Sequence, residues 1–173
     1  MLVHKDQFFG AIRQVKEAQW EKFRWDPFRP HTIAANLLYL SIIERIPASL
    51  GHDLGIYAAV GTTLDHYGMD AFVMTRNIVV GIDLTVNRNE EELTKKRIWT
   101  TQAAKIGRPI VIVEMRHLER EDGIDLYGTI IAGHVVRIFE KHKRHKVLRR
   151  LRPRQKDWRH GHVKEFAETL EEV

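Results

Sequence analysis

The period of apolar and polar positions changes several times along the chain, and each change marks an element. Met69–Thr75 and Ile78–Val86 are rich in β-branched and apolar residues, with only Arg76 and Asn77 between them. Two such runs joined by two residues predict a β-hairpin. With Arg76-Asn77 as the loop, Thr75 faces Ile78, Met74 faces Val79, and Asp70 falls opposite Asp83. Alternation puts Ala71, Val73, Thr75, Ile78, Val80, Ile82, Leu84 and Val86 on one apolar face. Asp70, Phe72, Met74, Val79, Gly81, Asp83 and Thr85 share the other.

Helical spacing dominates on both sides of the hairpin. Phe9, Ile12, Val15, Gln19, Trp20 and Phe23 predict an amphipathic helix over 5–24, its aromatics forming core or a partner surface. A second helix over 32–46 has Thr32 as N-cap, an inward stripe of Ile33, Leu37, Leu40 and Ile43, and Pro47 as its stop. Ile56–Val60 reads as a short strand. Asn89 followed by Glu92 starts a helix over 90–106, and Ile110–Glu114 reads as a buried central strand. Strand, helix and strand in succession make a crossover, so Ile110–Glu114 should run parallel to Ile78–Val86. Ile124–Ile131 fits either a strand or a helix start, a basic helix runs to about Leu151, and residues 162–172 form a short terminal helix. The expectation is an α/β sandwich around a mixed sheet. It has an N-terminal helical extension over 1–30, a core over 31–136 and a basic helical extension over 137–173, in a single domain overall.

Composition narrows the function classes. The 173 residues include no cysteine, which excludes a disulfide framework, a zinc–thiolate site and a cysteine nucleophile. It fits a reducing, cytoplasmic setting. No apolar run approaches the ~20 residues of a membrane span. The net charge of +5 is uneven: Arg137–Arg159 holds 11 Lys or Arg against Glu140 and Asp157. Such a segment implies a polyanionic partner, nucleic acid first, with Lys141, Lys143, Arg144, Lys146, Arg149, Arg150, Arg152 and Arg154 as backbone contacts. The close histidine pairs, His142/His145 and His160/His162, lie among cations or without acids, which disfavours zinc.

The chemistry centres on the hairpin. Directly opposed residues have Cβ atoms roughly 4.5–5.5 Å apart, where like charges are destabilising. Asp70 and Asp83 therefore need a cation, a shared proton or a basic partner. Oxygen-only ligands suit Mg²⁺. Gly81 leaves backbone room for a ligand. Glu44, at a helix C-terminus, is unfavourable against the helix dipole unless something pairs with it.

A helix carrying Glu44, then Asp65-His-Tyr-Gly-Met-Asp70, then Ile82-Asp83-Leu84-Thr85, then a helix and a buried strand, resembles the PD-(D/E)XK nuclease superfamily over about residues 32–115. The resemblance implies a restriction-endonuclease-like three-layer sandwich and a Mg²⁺-dependent DNA endonuclease, with Mn²⁺ as a substitute ion and RNA as the less favoured substrate. It implies Asp70 and Asp83 as metal ligands and Glu44 as an assisting carboxylate. Thr85 stands where the catalytic lysine is expected, which makes Lys95 or Lys96 on the following helix its replacement. The alternative is a catalytically inactive nucleic-acid-binding or assembly subunit. Either form would act as a homodimer or within a larger nucleic-acid complex.

Overall fold

In chain order the elements are α1 (Lys5–Glu17), α2 (Ile33–Ile43), α3 (Ala48–Gly51), β1 (Gly55–Ala58), β2 (Ala71–Thr75), β3 (Ile78–Thr85), α4 (Glu90–Lys105), β4 (Ile110–Glu114) and α5 (Glu121–Leu151). This computed structural model describes residues 5–86, 89–105 and 108–151. The strands lie side by side in the order β1-β2-β3-β4. β1 and β3 both run antiparallel to β2, and β4 runs parallel to β3 after the α4 crossover. The molecule is therefore α/β with a mixed, open sheet.

The hairpin has the register that its two-residue loop dictates, from Thr75↔Ile78 to Ala71↔Ile82. Arg76 closes it at φ 52°, a left-handed conformation uncommon for a side-chain-bearing residue. Two contacts fix the tip. Arg76 Nη2 donates to the Ser49 carbonyl at 2.9 Å, and Thr75 Oγ1 donates to the Leu50 carbonyl at 2.6 Å.

Each face of the sheet carries its own apolar cluster. Val73, Ile78, Val80 and Ile82 pack with Leu38 and Ile42 of α2, Leu50 of α3, and Ile124, Tyr127, Ile131 and Val135 of α5. Phe72, Val79 and Tyr57 pack instead with Phe8, Ala11, Ile12 and Val15 of α1, and Ala103 of α4 joins their edge. The segment expected as an N-terminal extension is thus a layer of the core. The chain divides into one unit over Met1–Phe139 and a second over Glu140–Val173.

Several expected details fall differently. α1 ends at Glu17 and gives way to a wide, π-helical turn over Gln19–Phe23, so the helix does not continue regularly to residue 24. Phe8 is buried in place of Phe9, and Trp20 is 72% exposed. In α2, Leu38 and Ile42 point inward, while Ile33, Leu37 and Leu40 are exposed. That helix is apolar on most sides, so its periodicity does not select a face. Its N-cap is as expected, with Thr32 Oγ1 accepting from Ala35 N–H at 3.4 Å. Ile124–Ile131 is helical, because Ile124, Tyr127, Ile131 and Val135 recur every three to four residues against the sheet. The expected terminal helix over 162–172 lies outside the described residues.

Candidate active site

Asp70 lies just outside β2, where the regular β2–β3 ladder ends at Ala71↔Ile82. Its N–H donates to the Ile82 carbonyl at 2.9 Å, and its own carbonyl accepts from Ala59 N–H at 2.8 Å. Beyond that end of the register, Asp70 lies close enough to Asp83 to feel its charge. By alternation Asp83 shares the sheet face of Val79.

Each carboxylate has one oxygen engaged. Asp83 Oδ1 accepts from Lys96 Nζ at 2.7 Å, and the Asp83 side chain is only 8% exposed. Asp70 Oδ2 accepts from the Leu84 N–H at 2.7 Å. Burial pushes the Asp70 carboxyl above its usual range, and the charges of Asp83 and Asp65 push the same way. The Leu84 N–H and the Lys96 charge pull against them without prevailing. The Lys96 ammonium thus acts on both acids, and burial still leaves the Asp70 carboxyl raised.

Lys96 reaches Asp83 because α4 starts just past the end of β3. Asn89 caps the helix, its Oδ1 accepting from Glu91 N–H at 3.0 Å, and Lys96 follows two turns on. Lys95 points elsewhere and pairs with Glu91 at 2.8 Å on the exposed side. Thr85 is 5% exposed and lies on the Asp83 face, in register with Glu114 of β4.

Glu44 does not join this group. It caps the C-terminus of α2, whose Leu38 and Ile42 cover the opposite face of the sheet. The chain then enters α3, which is tied to the hairpin tip at Thr75 and Arg76, away from the strand ends bearing the aspartates. Its side chain is 73% exposed, 3.9 Å from Arg45. Gly81 serves packing, with Met69 and Ile110 filling the space that a Cβ would take.

Two further carboxylates at this end of the sheet were not expected there from the sequence. Asp65 accepts from the Gly61 N–H at 2.6 Å and is close enough to raise the Asp70 carboxyl. Glu114 is half-buried on the Asp83 face and pairs with Arg116 at 2.5 Å. Parallel pairing of β3 with Ile110–Glu114 was itself an expectation, and applying alternation to it would have placed Glu114. Of the basic contacts, Lys141, Lys143 and Arg144 are exposed on the last part of α5. The side chains of Lys146, Arg149 and Arg150, and all of Arg152 and Arg154, lie outside the described residues.

No protein-family model, curated protein or solved structure matches this chain.

Proposed function

We propose that the chain is a metal-dependent nuclease that hydrolyses phosphodiester bonds in DNA, with a restriction-endonuclease-like core of the PD-(D/E)XK kind. One observation carries this reading: Asp70 lies within reach of the Asp83 charge at one end of the hairpin, and Lys96 arrives from the next helix with its ammonium 2.7 Å from Asp83. Two acids and one lysine gathered at one end of the hairpin are the minimal set for this chemistry.

The donor set fits a hard divalent cation. Asp70 and Asp83 offer only oxygen, and burial first, then the charges of Asp83 and Asp65, raise the Asp70 carboxyl, both of which a cation would offset. These two residues would hold Mg²⁺ or Mn²⁺, and such an ion supplies Lewis-acid polarisation of the scissile phosphate when bound. The protein's own groups do the rest. The Lys96 ammonium stabilises the charge that develops on the phosphate oxygens, and Asp83 holds that ammonium in place. Asp70 is kept on line by the Leu84 N–H. Lys141, Lys143 and Arg144 provide sequence-independent contacts to the backbone.

The second reading, a nuclease-like subunit that binds without cutting, draws on Thr85 at the expected lysine position and on Lys96 already neutralising Asp83. A cleavage assay on supercoiled and branched DNA in Mg²⁺ and in Mn²⁺ decides between the two. Cleavage by the wild type that disappears in Asp83→Ala supports the nuclease. Salt-sensitive binding with no cleavage in either metal supports the binding subunit.

A further inference from the structure

The π-helical turn Gln19–Phe23 is pinned to the strand end that carries the aspartates. Gln19 is 3% exposed, and its Nε2 donates to the Val15 and Ala58 carbonyls, each at 2.8 Å. Its Oε1 accepts from Ala58 N–H at 2.9 Å. Ala58 pairs with Ala71, and Ala59 N–H donates to the Asp70 carbonyl at 2.8 Å. A second tie lies alongside. Lys22 Nζ donates to the Gly61 carbonyl at 2.9 Å, and the Gly61 N–H donates to Asp65.

This anchoring turns Gln19 inward and its neighbour outward. Trp20 is 72% exposed, and Arg24 closes the turn in the left-handed region at φ 48°. A Trp so exposed adds little to folding, while π turns recur at functional positions. Phe9, Arg13 and Lys16 follow one another at helical spacing along α1, and Trp20 comes next on the π turn. Phe9 is 43% exposed, and Arg13 and Lys16 are exposed. Lys22 and Arg24 add charge beside Trp20, against Glu17 and Glu21. Aromatic faces interleaved with cations are what an unpaired nucleic-acid strand stacks and pairs upon.

We propose that Trp20 is a stacking platform for an unpaired base of the substrate, with Arg13, Lys16 and Arg24 holding the adjoining phosphates. The platform lies at the end of the sheet where Asp70, Asp83 and Lys96 converge. The assignment rests on the nuclease reading for its substrate class and adds that the substrate presents unpaired nucleotides next to the cut.

The test uses the full chain in a chelator, so that binding is measured without cleavage. Labelled single-stranded oligonucleotide and a duplex of matched length are titrated by fluorescence anisotropy. Trp20→Ala should weaken single-strand binding about 5- to 100-fold, Trp20→Phe should keep most of it, and duplex binding should move less than twofold. Equal losses on both nucleic acids, no loss in Trp20→Ala, or no binding of nucleic acid by the wild type would each overturn the platform. Cleavage in Mg²⁺ is scored separately. A wild type that cuts while Trp20→Ala binds normally removes only the platform. Trp20-dependent single-strand binding without cutting removes only the nuclease.

Discussion

Lys96 and Asp83 stand 2.7 Å apart although they are thirteen positions apart in the chain, and that contact is where the crossover helix meets the hairpin. The Asp83 carboxylate is almost wholly buried, and this ammonium is its charged hydrogen-bond partner. The same ammonium also acts on Asp70, whose carboxyl remains raised in spite of it.

Replacing Lys96 therefore tests stability and activity together. Lys96→Ala leaves a buried carboxylate without a charged hydrogen-bond donor and should cost about 1.5–3 kcal/mol. Urea unfolding checks this value. Metal-dependent cleavage should fall by about 10²–10³. Lys95→Ala is the control. Its pair with Glu91 is exposed on both sides, so stability should change by less than about 0.5 kcal/mol and cleavage should persist. Equal effects from the two lysines would contradict the assignment.

Asp70→Asn should separate stability from function in the opposite sense. Asn retains an acceptor for the Leu84 N–H while removing one of two opposed charges, worth roughly 0.2–1 kcal/mol. Because the folded carboxyl titrates above its ordinary 3.8, the folded state binds more protons than the unfolded state between the two values. Stability of the wild type then falls as pH rises through that window. The melting temperature of Asp70→Asn should exceed that of the wild type at neutral pH. The gap should shrink as pH drops through the window, while cleavage is lost at every pH. A variant less stable than wild type at pH 7 would show that the charge at position 70 stabilises the fold.

What the sequence made legible follows from which signals are local. The two-residue loop sets the pairings from Thr75↔Ile78 to Ala71↔Ile82 by counting, which brings Asp70 and Asp83 to the same end of the hairpin without coordinates. Asn89 and the acids after it likewise fixed the start of α4. Helix faces were harder. α2 is apolar nearly all round, and the choice of Leu38 and Ile42 over Leu37 and Leu40 comes from where α5 crosses it. The choice between Lys95 and Lys96 depends on a rotation of one residue about the α4 axis, which no capping signal sets. Glu44 was misplaced for a related reason, since a carboxylate at a helix end carries no information on which side of a sheet that helix lies.

The α2–α5 crossing supplies a matched pair of substitutions. Gly128 lets α5 approach Ser41 so closely that an added Cβ would collide with its Oγ and Cβ, and the Ser41 carbonyl is held in turn by Arg45, which pairs with Asp125 of α5. Gly128→Ala should destabilise by about 1–3 kcal/mol or more. Gly133, one and a half turns along the same helix, is exposed, and nothing lies within 4 Å of the place a Cβ would take. Gly133→Ala should stabilise by about 0.5–1 kcal/mol through helix propensity alone. Thermal unfolding of the two variants beside wild type checks both signs, and a mild Gly128→Ala would mean that the helices can separate at little cost.

Phosphate contacts by the basic end of α5 should appear in the salt dependence of binding. Each neutralised phosphate contributes about −0.9 to the slope of log K against log salt on duplex DNA. Lys141, Lys143 and Arg144 are exposed, so changing all three to Ala removes charge with little effect on packing. If all three touch the backbone, the slope should become shallower by about 2.7, and affinity at low salt should fall for every sequence alike. Cleavage at saturating DNA should be preserved, because Asp70, Asp83 and Lys96 are untouched. An unchanged slope would move the electrostatic footprint off this segment, and the cations of α1 would then be the place to look for it.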